Sequence, residues 1–217
     1  MTRGEIKTLA RQWLDDEDGG YFTDSFMDAV INNAQREAQK RLLNAGEDYY
    51  TKCVYTMLVS GQDRYALPTD FMELYRLEYV TSGSGATASR QRVYPITRNE
   101  QDISRYQTSG DPYNYYLNKD TLQLVPVPNS AKRMDLEYAY RVADLTADAE
   151  TPDVPADYHE YLAVMAARDG FLRDGRDMTP IERKLRYYDE MFRETAEQRR
   201  KDSPRMIVAT GGGFGSV

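Results

Sequence analysis

Residues 155–203 read PADYHEYLAVMAARDGFLRDGRDMTPIERKLRYYDEMFRETAEQRRKDS, and the fold turns on how this stretch is parsed. Tyr158, Leu162, Met165 and Leu172 fall at i, i+4, i+7 and i+14, with Ala163, Ala166 and Ala167 beside them. This predicts an amphipathic helix over 156–174 whose apolar face admits a close partner. Gly170 lies inside the pattern and Gly175 ends it. Thr179-Pro180 then supplies an N-cap followed by proline at the first helical position, predicting a second helix over 180–202. Ile181, Leu185, Tyr188 and Phe192 form its apolar stripe, flanked by the i,i+4 pairs Glu182/Arg186 and Asp189/Arg193. Ser203-Pro204 stops it.

Working outward, two more helices precede a strand-rich middle. Thr2 and Glu5 have capping-box spacing, and Ile6, Leu9, Ala10, Trp13 and Leu14 form a stripe, predicting a helix over 2–15. The carboxylates of residues 15–18 lack the ligand spacing of a calcium loop and read as a solvated turn. A longer helix is predicted over 23–45, with Phe26, Val30, Ala34, Ala38 and Leu42 along one side and Gly46 as its stop.

From Tyr50 the period changes to two, and 50–141 is predicted as β-rich. The alternating run 52–59 reads as a strand buried on both faces, with Cys53 a small core residue. Alternation at 74–79 gives another strand. Residues 82–89 have the composition of a mobile loop tip. Val93 to Ile96 is extended, and Thr97 with Glu100 predicts a short helix to about Tyr106. A hairpin joins 113–117 to 121–125 through a three-residue loop, 118–120. The clearest strand points Met134, Leu136, Tyr138 and Tyr140 one way and Asp135, Glu137, Ala139 and Arg141 the other. The fold class is therefore α+β: amphipathic helices from both ends of the chain, an inserted antiparallel sheet, and an extended tail at 204–217.

Composition narrows the function classes. The chain has 217 residues, net charge -7 and 41% hydrophobic residues, with mean hydropathy -0.73 and pI near 4.9. Such a thin core suits an elongated subunit whose neighbours supply burial. The acidic balance argues against a protein gripping nucleic acid along a basic face. Tyr outnumbers Phe and Trp, 18 against 6 and 1, a choice enriched at protein interfaces. One cysteine and one histidine leave no intrachain disulfide and no usual zinc template, so no cofactor and no metal are expected. No signal-peptide pattern or membrane span is present in the sequence. No catalytic signature appears either. His159 and the carboxylates lack a placed partner, so an enzyme is the least favoured reading.

Two stretches carry the candidate sites. Asp144, Asp148, Glu150 and Asp153 make a patch of negative potential in a segment without basic residues between Arg141 and Arg168. The bland reading is an acidic loop ahead of a helix; the sharper one is a surface that keeps DNA from sticking. At the end of the chain, Met206, Ile207 and Val208 are apolar and β-prone, and glycines 211–213 precede Phe214. These four apolar residues are the candidate partner-binding set. The glycine run cannot be a phosphate loop, because no helix and no Lys-Ser/Thr pair follow it.

The segments YALPTDFMELYRLEY (65–79), YYLNKDTLQLVPVP (115–128), LEYAYR (136–141) and TPDVPADYH (151–159) together resemble the tailed-bacteriophage head-to-tail adaptor (portal adaptor or connector) family. The similarity runs in order through most of the chain. The resemblance implies a structural virion protein, assembled in the host cytoplasm, that forms a dodecameric ring between the portal protein and a tail or nozzle protein. Tails of the family often dock onto neighbouring proteins, tail fibres are a further partner, and genomic DNA passes without specific binding. On that expectation Met206, Ile207, Val208 and Phe214 meet the portal or a neighbouring subunit, and the acidic set lines part of the DNA channel. The alternative is a nucleic-acid-binding or other small phage accessory protein, favoured only by the basic cluster Arg199, Arg200, Lys201 and Arg205.

Overall fold

The computed structural model describes residues 1–45, 50–83, 87–97 and 108–202. It is mixed α and β, with four α-helices and largely antiparallel sheets, and divides into two compact units, 1–47 with 145–217, and 48–144. The expected stops at Gly46 and Ser203-Pro204, the centre of the loop at 82–89, the short helix after Thr97 and the whole tail lie outside the described residues.

The helical unit contains α1 (Arg3–Trp13), α2 (Asp24–Ala45), α3 (His159–Asp174) and α4 (Thr179–Asp202). The predicted capping box is formed: the Thr2 hydroxyl accepts from the Glu5 N–H, and the Glu5 carboxylate accepts from the Thr2 N–H at 2.8 Å. α3 packs against all three other helices. Its residues from Tyr161 to Ala167 are all buried, so it is apolar all round rather than amphipathic as predicted. Small side chains make this possible. At Gly170 an added Cβ would lie 2.5 Å from Leu14 Cδ2, so the glycine is where α1 crosses closest. Gly175 ends α3 in the left-handed conformation at φ 66°, as a helix C-terminus favours.

Leu172 corrects the predicted stripe: it is 61% exposed, while its neighbours Gly170 and Arg173 still meet Leu14 and Phe26. On α4, Ile181, Tyr188 and Phe192 are buried as expected, but Asp189 pairs with Arg41 of α2 instead of Arg193. The helix starts at Thr179, where the Asp177 carboxylate accepts from the Thr179 N–H and hydroxyl.

A row of cations on α1 lies inside this unit. Arg3, Lys7 and Arg11, spaced i, i+4, i+8, are each more than 90% buried. Lys7 lies 2.8 Å from Asp28 and 3.1 Å from Asp148, while Arg11 lies 2.9 Å from Asp24 and 3.1 Å from Asp16. Burial opposes charge on Lys7, yet its hydrogen bonds to Asp28 and Asp148 outweigh that and raise its pKa. The 15–18 turn is thus partly structural. Asp16, with its side chain 10% exposed, accepts from the N–H groups of Phe22 at 2.9 Å and Tyr21 at 3.0 Å.

Burial pushes the Asp16 pKa up, but those N–H groups and Arg11 pull it below the usual carboxylate range. A depressed folded-state pKa contributes stability above the unfolded value that is lost as pH falls through the folded one. Asp16→Ala is therefore expected to cost about 2 kcal/mol at neutral pH, the scale of hydrogen bonds to a charged group, and to make acid unfolding less steep. Urea unfolding at neutral and acid pH measures both.

Among its described residues the second unit has the strands β1 (Thr51–Met57), β2 (Arg64–Ala66), β3 (Phe71–Ser82), β4 (Ser89–Arg92), β5 (Tyr94–Pro95), β6 (Ser109–Gly110), β7 (Asn114–Asn118), β8 (Thr121–Val125), β9 (Val127–Pro128) and β10 (Arg133–Tyr140). One antiparallel sheet has the order β1-β10-β3-β4, a second has β2-β8-β7-β5, and β6 pairs with β9. Leu77, Tyr79, Met134, Leu136 and Tyr138 of the first sheet share a core with Tyr65, Leu122 and Leu124 of the second. The predicted inward row of β10 is correct. The hairpin loop is two residues, not three, because Asn118 pairs with Thr121 and leaves Lys119 at φ 55° to make the turn.

The main correction concerns β1. It was expected to be buried on both faces, but its residues from Lys52 to Met57 are exposed, and so is Cys53. β10 takes the centre of the sheet and β1 is left at its end, covered on one side only.

Candidate functional site

Strand β1 and the hollow beside it form the most unusual surface of the β unit. Val54, Tyr55, Met57 and the following Val59 are 37%, 66%, 53% and 52% exposed. An end strand directs half of its main-chain N–H and C=O groups away from its sheet. Val54 and Thr56 stand opposite Leu136 and Met134 of β10, on the core side of the sheet, and should have been covered. Instead they overhang a groove of about 390 Å³ between β1 and β2, lined mainly by apolar side chains including Leu67, Leu122, Met134 and Leu136. Tyr65 closes one end, its hydroxyl accepting from the Val59 N–H at 2.9 Å and lying 3.1 Å from the Gln62 carbonyl. At the other end of β1, Lys52 pairs with Asp70 at 2.7 Å, and Asp70 accepts from the Tyr138 hydroxyl at 2.8 Å. The strand is pinned at both ends and open along its length.

The outer face of the same sheet is a lattice of opposite charges. Arg76 meets Glu137 at 2.8 Å, Arg90 meets Asp135 at 3.3 Å, and Arg133 meets Asp135 at 2.5 Å while standing 4.5 Å from the Tyr55 ring. Cys53 sits among them. Partial burial and the carboxylates Asp135 and Glu137 raise its thiol pKa, the opposite of an activated nucleophile.

The acidic segment is held in place by the helical unit. The first N–H groups of α1, at Arg3 and Gly4, donate to the carbonyls of Glu150 at 2.8 Å and Asp148 at 2.9 Å. Asn32 clasps Leu145 through two hydrogen bonds, and the Asp153 N–H donates to Gln35 Oε1 at 3.2 Å. Asp148 accepts from Arg3 at 2.8 Å and lies 3.1 Å from Lys7, which keep its pKa low. Glu150 folds back on its own turn, accepting from the N–H groups of Thr146 and Ala147. Asp144 and Asp153 are exposed. Asp148 and Glu150 therefore brace the fold, a use that no charge pattern in the sequence announces.

His159 is 3% exposed with both ring nitrogens engaged. Nε2 donates to the Val154 carbonyl at 2.9 Å, and Nδ1 lies 2.7 Å from the terminal ammonium of Met1. Burial lowers its pKa, which keeps the ring neutral and structural. Among the described residues no group of three or more His, Cys, Asp and Glu is arranged to hold a metal, and no helix is long and apolar enough to cross a membrane. Met206, Ile207, Val208 and Phe214 lie outside the described residues, as do the side chains of the basic cluster at 199–201 and Arg205.

The family model described as SU10 adaptor protein matches residues 1–211. No curated protein matches the sequence.

Proposed function

We propose, from the premise that this chain belongs to the SU10 adaptor protein family of phage adaptors, that it is a structural ring subunit seated beneath the portal. The observation that carries this reading is a family match over nearly the whole chain. In this reading twelve copies join the portal to a tail or nozzle protein, with fibres as a further neighbour, and DNA passes through the ring without being bound specifically. Residues 1–203 act as the adaptor domain, a helical bundle with an inserted sheet, and 204–217 as an extended tail that meets the portal or a neighbouring subunit through Met206, Ile207, Val208 and Phe214. The protein works by fitting surfaces together and performs no catalysis. It is a virion component at the head-tail junction, assembled in the host cytoplasm.

Mixing the purified chain with the portal ring of the same virus and imaging the product by electron microscopy tests this reading. A ring of added density on the portal is expected; bare portals at saturating protein would overturn it.

The acidic residues Asp144, Asp148, Glu150 and Asp153 give the channel wall negative charge, which repels the phosphate backbone and keeps passage free of sticking points. Asp148 and Glu150 hold the loop, so reversing them would disturb folding, whereas Asp144→Lys with Asp153→Lys alters exposed positions. The double variant is expected to assemble normally and to slow DNA release from assembled particles. An ejection rate equal to wild type would remove the channel role.

A further inference from the structure

We propose, building on the ring reading above, that the open side of β1 is the docking site for residues 205–210 of a neighbouring copy, added as a fifth strand with alternate side chains in the groove. Three observations carry this.

First, β1 differs from every other end strand among those described. It is seven residues long, whereas β4, β2 and β5 are four, three and two. Proteins blunt exposed edges with short strands, charge and proline, and β4 does so with Arg90 and Arg92. Beyond Lys52 at its start β1 has no such protection; it presents Val54, Tyr55 and Met57 instead. Second, the groove runs beneath the same edge. A strand laid along β1 would drop every second side chain over Leu67, Leu122, Met134 and Leu136, while its main chain takes up the outward-facing donors and acceptors of β1. Third, the chain supplies a segment that fits. Beyond Asp202, the last residue of α4, the six residues 205–210 span roughly 20 Å when extended at about 3.3 Å per residue, close to the length of β1. Residues 205–210, RMIVAT, nearly match β1 in length and place Met206, Ile207 and Val208 together.

Each copy then carries one donor segment and one acceptor edge that are not the same patch. Such a contact is heterologous and propagates from copy to copy until it closes, the geometry of a ring rather than of a two-fold dimer.

Cys53 makes the proposal directly testable. Neighbouring strands hold opposed Cα atoms about 4.5–5.5 Å apart, within the span a disulfide bridges. Because side chains alternate, only every second tail position can face Cys53. Single cysteines at 205 through 210 in otherwise native protein, loaded on portal rings and oxidised with copper phenanthroline, are expected to give covalent multimers chiefly at the one position opposed to Cys53 and not at its immediate neighbours, whose side chains face the other way. Mixing tail-cysteine chains carrying Cys53→Ser with chains of native tail and Cys53 should still yield cross-linked dimers, which places the bond between copies. Loaded rings without a cross-link at any position would overturn the docking site while leaving the ring reading intact. Cross-links confined to single chains would overturn the exchange between copies. Failure of the native chain to load would overturn the ring reading and this inference with it.

Discussion

Phe192→Ala is expected to destabilise the helical unit by about 3–5 kcal/mol, the range for removing a buried aromatic ring from a close-packed interior. Phe192 is 6% exposed and joins three elements. Its ring stacks on Tyr158 with centroids 4.4 Å apart, meets Tyr161 edge-on at 5.1 Å, and has the Arg41 guanidinium 5.5 Å from its centre. The alanine variant loses the burial of the ring, both aromatic contacts, and the surface on which Arg41 rests while it pairs with Asp189. Tyr158 and Tyr161 are held by α3 and its preceding 3₁₀ turn, so they cannot follow the backbone of α4 to refill the space. In a chain of this size that loss corresponds to a fall in Tm of roughly 10 °C. Leu172→Ala supplies the contrast. The sequence placed both residues on buried stripes, but Leu172 is 61% exposed and its truncation should change stability by about 0.5 kcal/mol or less. Thermal unfolding of the two variants beside wild type separates them, and equal effects would mean that the α3–α4 contact is misassigned.

Features fixed by local chemistry were legible in the sequence. The Thr2/Glu5 box, the Gly175 stop and the inward row of β10 depend on neighbouring residues along one element, and each stands where the residue pattern put it. Features fixed by which element packs beside which were not. An apolar strand reads the same whether it lies in the middle of a sheet or at its edge, so β1 looked like core until β10 was seen to take the centre. The burial of Arg3, Lys7 and Arg11 was not legible, because a cation and its carboxylates leave no joint signature when Asp28 and Asp148 come from distant parts of the chain. Their i, i+4, i+8 spacing was the available signal, since it is the spacing of a buried face as much as of an exposed one. Asp189 illustrates the same limit, having an acceptable partner four residues on and a different one across the helices. Of the candidate site, the sequence marked the apolar segment near the end of the chain but gave no hint of the groove that suits it, which end strands of two different sheets create.

Deleting residues 205–217 is expected to leave the folded chain nearly as stable as wild type, with Tm within about 2 °C, and to abolish its loading onto portal rings. The first half follows from where the cores lie. Every described core residue of the helical unit comes from Ile6 to Phe192, and the β unit ends at Asp144, so the deletion removes none of them. The second half follows from the acceptor. Without a donor strand the main-chain groups along β1 stay bonded to water, and Val54, Tyr55 and Met57 stay exposed with no segment to join one copy to the next. Loss of both main-chain pairing and apolar burial at each of the repeated contacts of a ring compounds around the circle, so the effect on assembly should be all-or-none rather than graded. Met206→Asp with Val208→Asp in the full-length chain distinguishes the chemistry from the length of the tail. Two carboxylates entering an apolar groove would be desolvated without partners, and the double variant should fail as completely as the deletion. Sedimentation of portal mixtures measures loading for all three proteins. Loading of the deleted chain at the wild-type level would show that residues 205–217 carry no assembly contact; loading of the aspartate variant alone would move that contact from the apolar side chains to the main chain and Phe214.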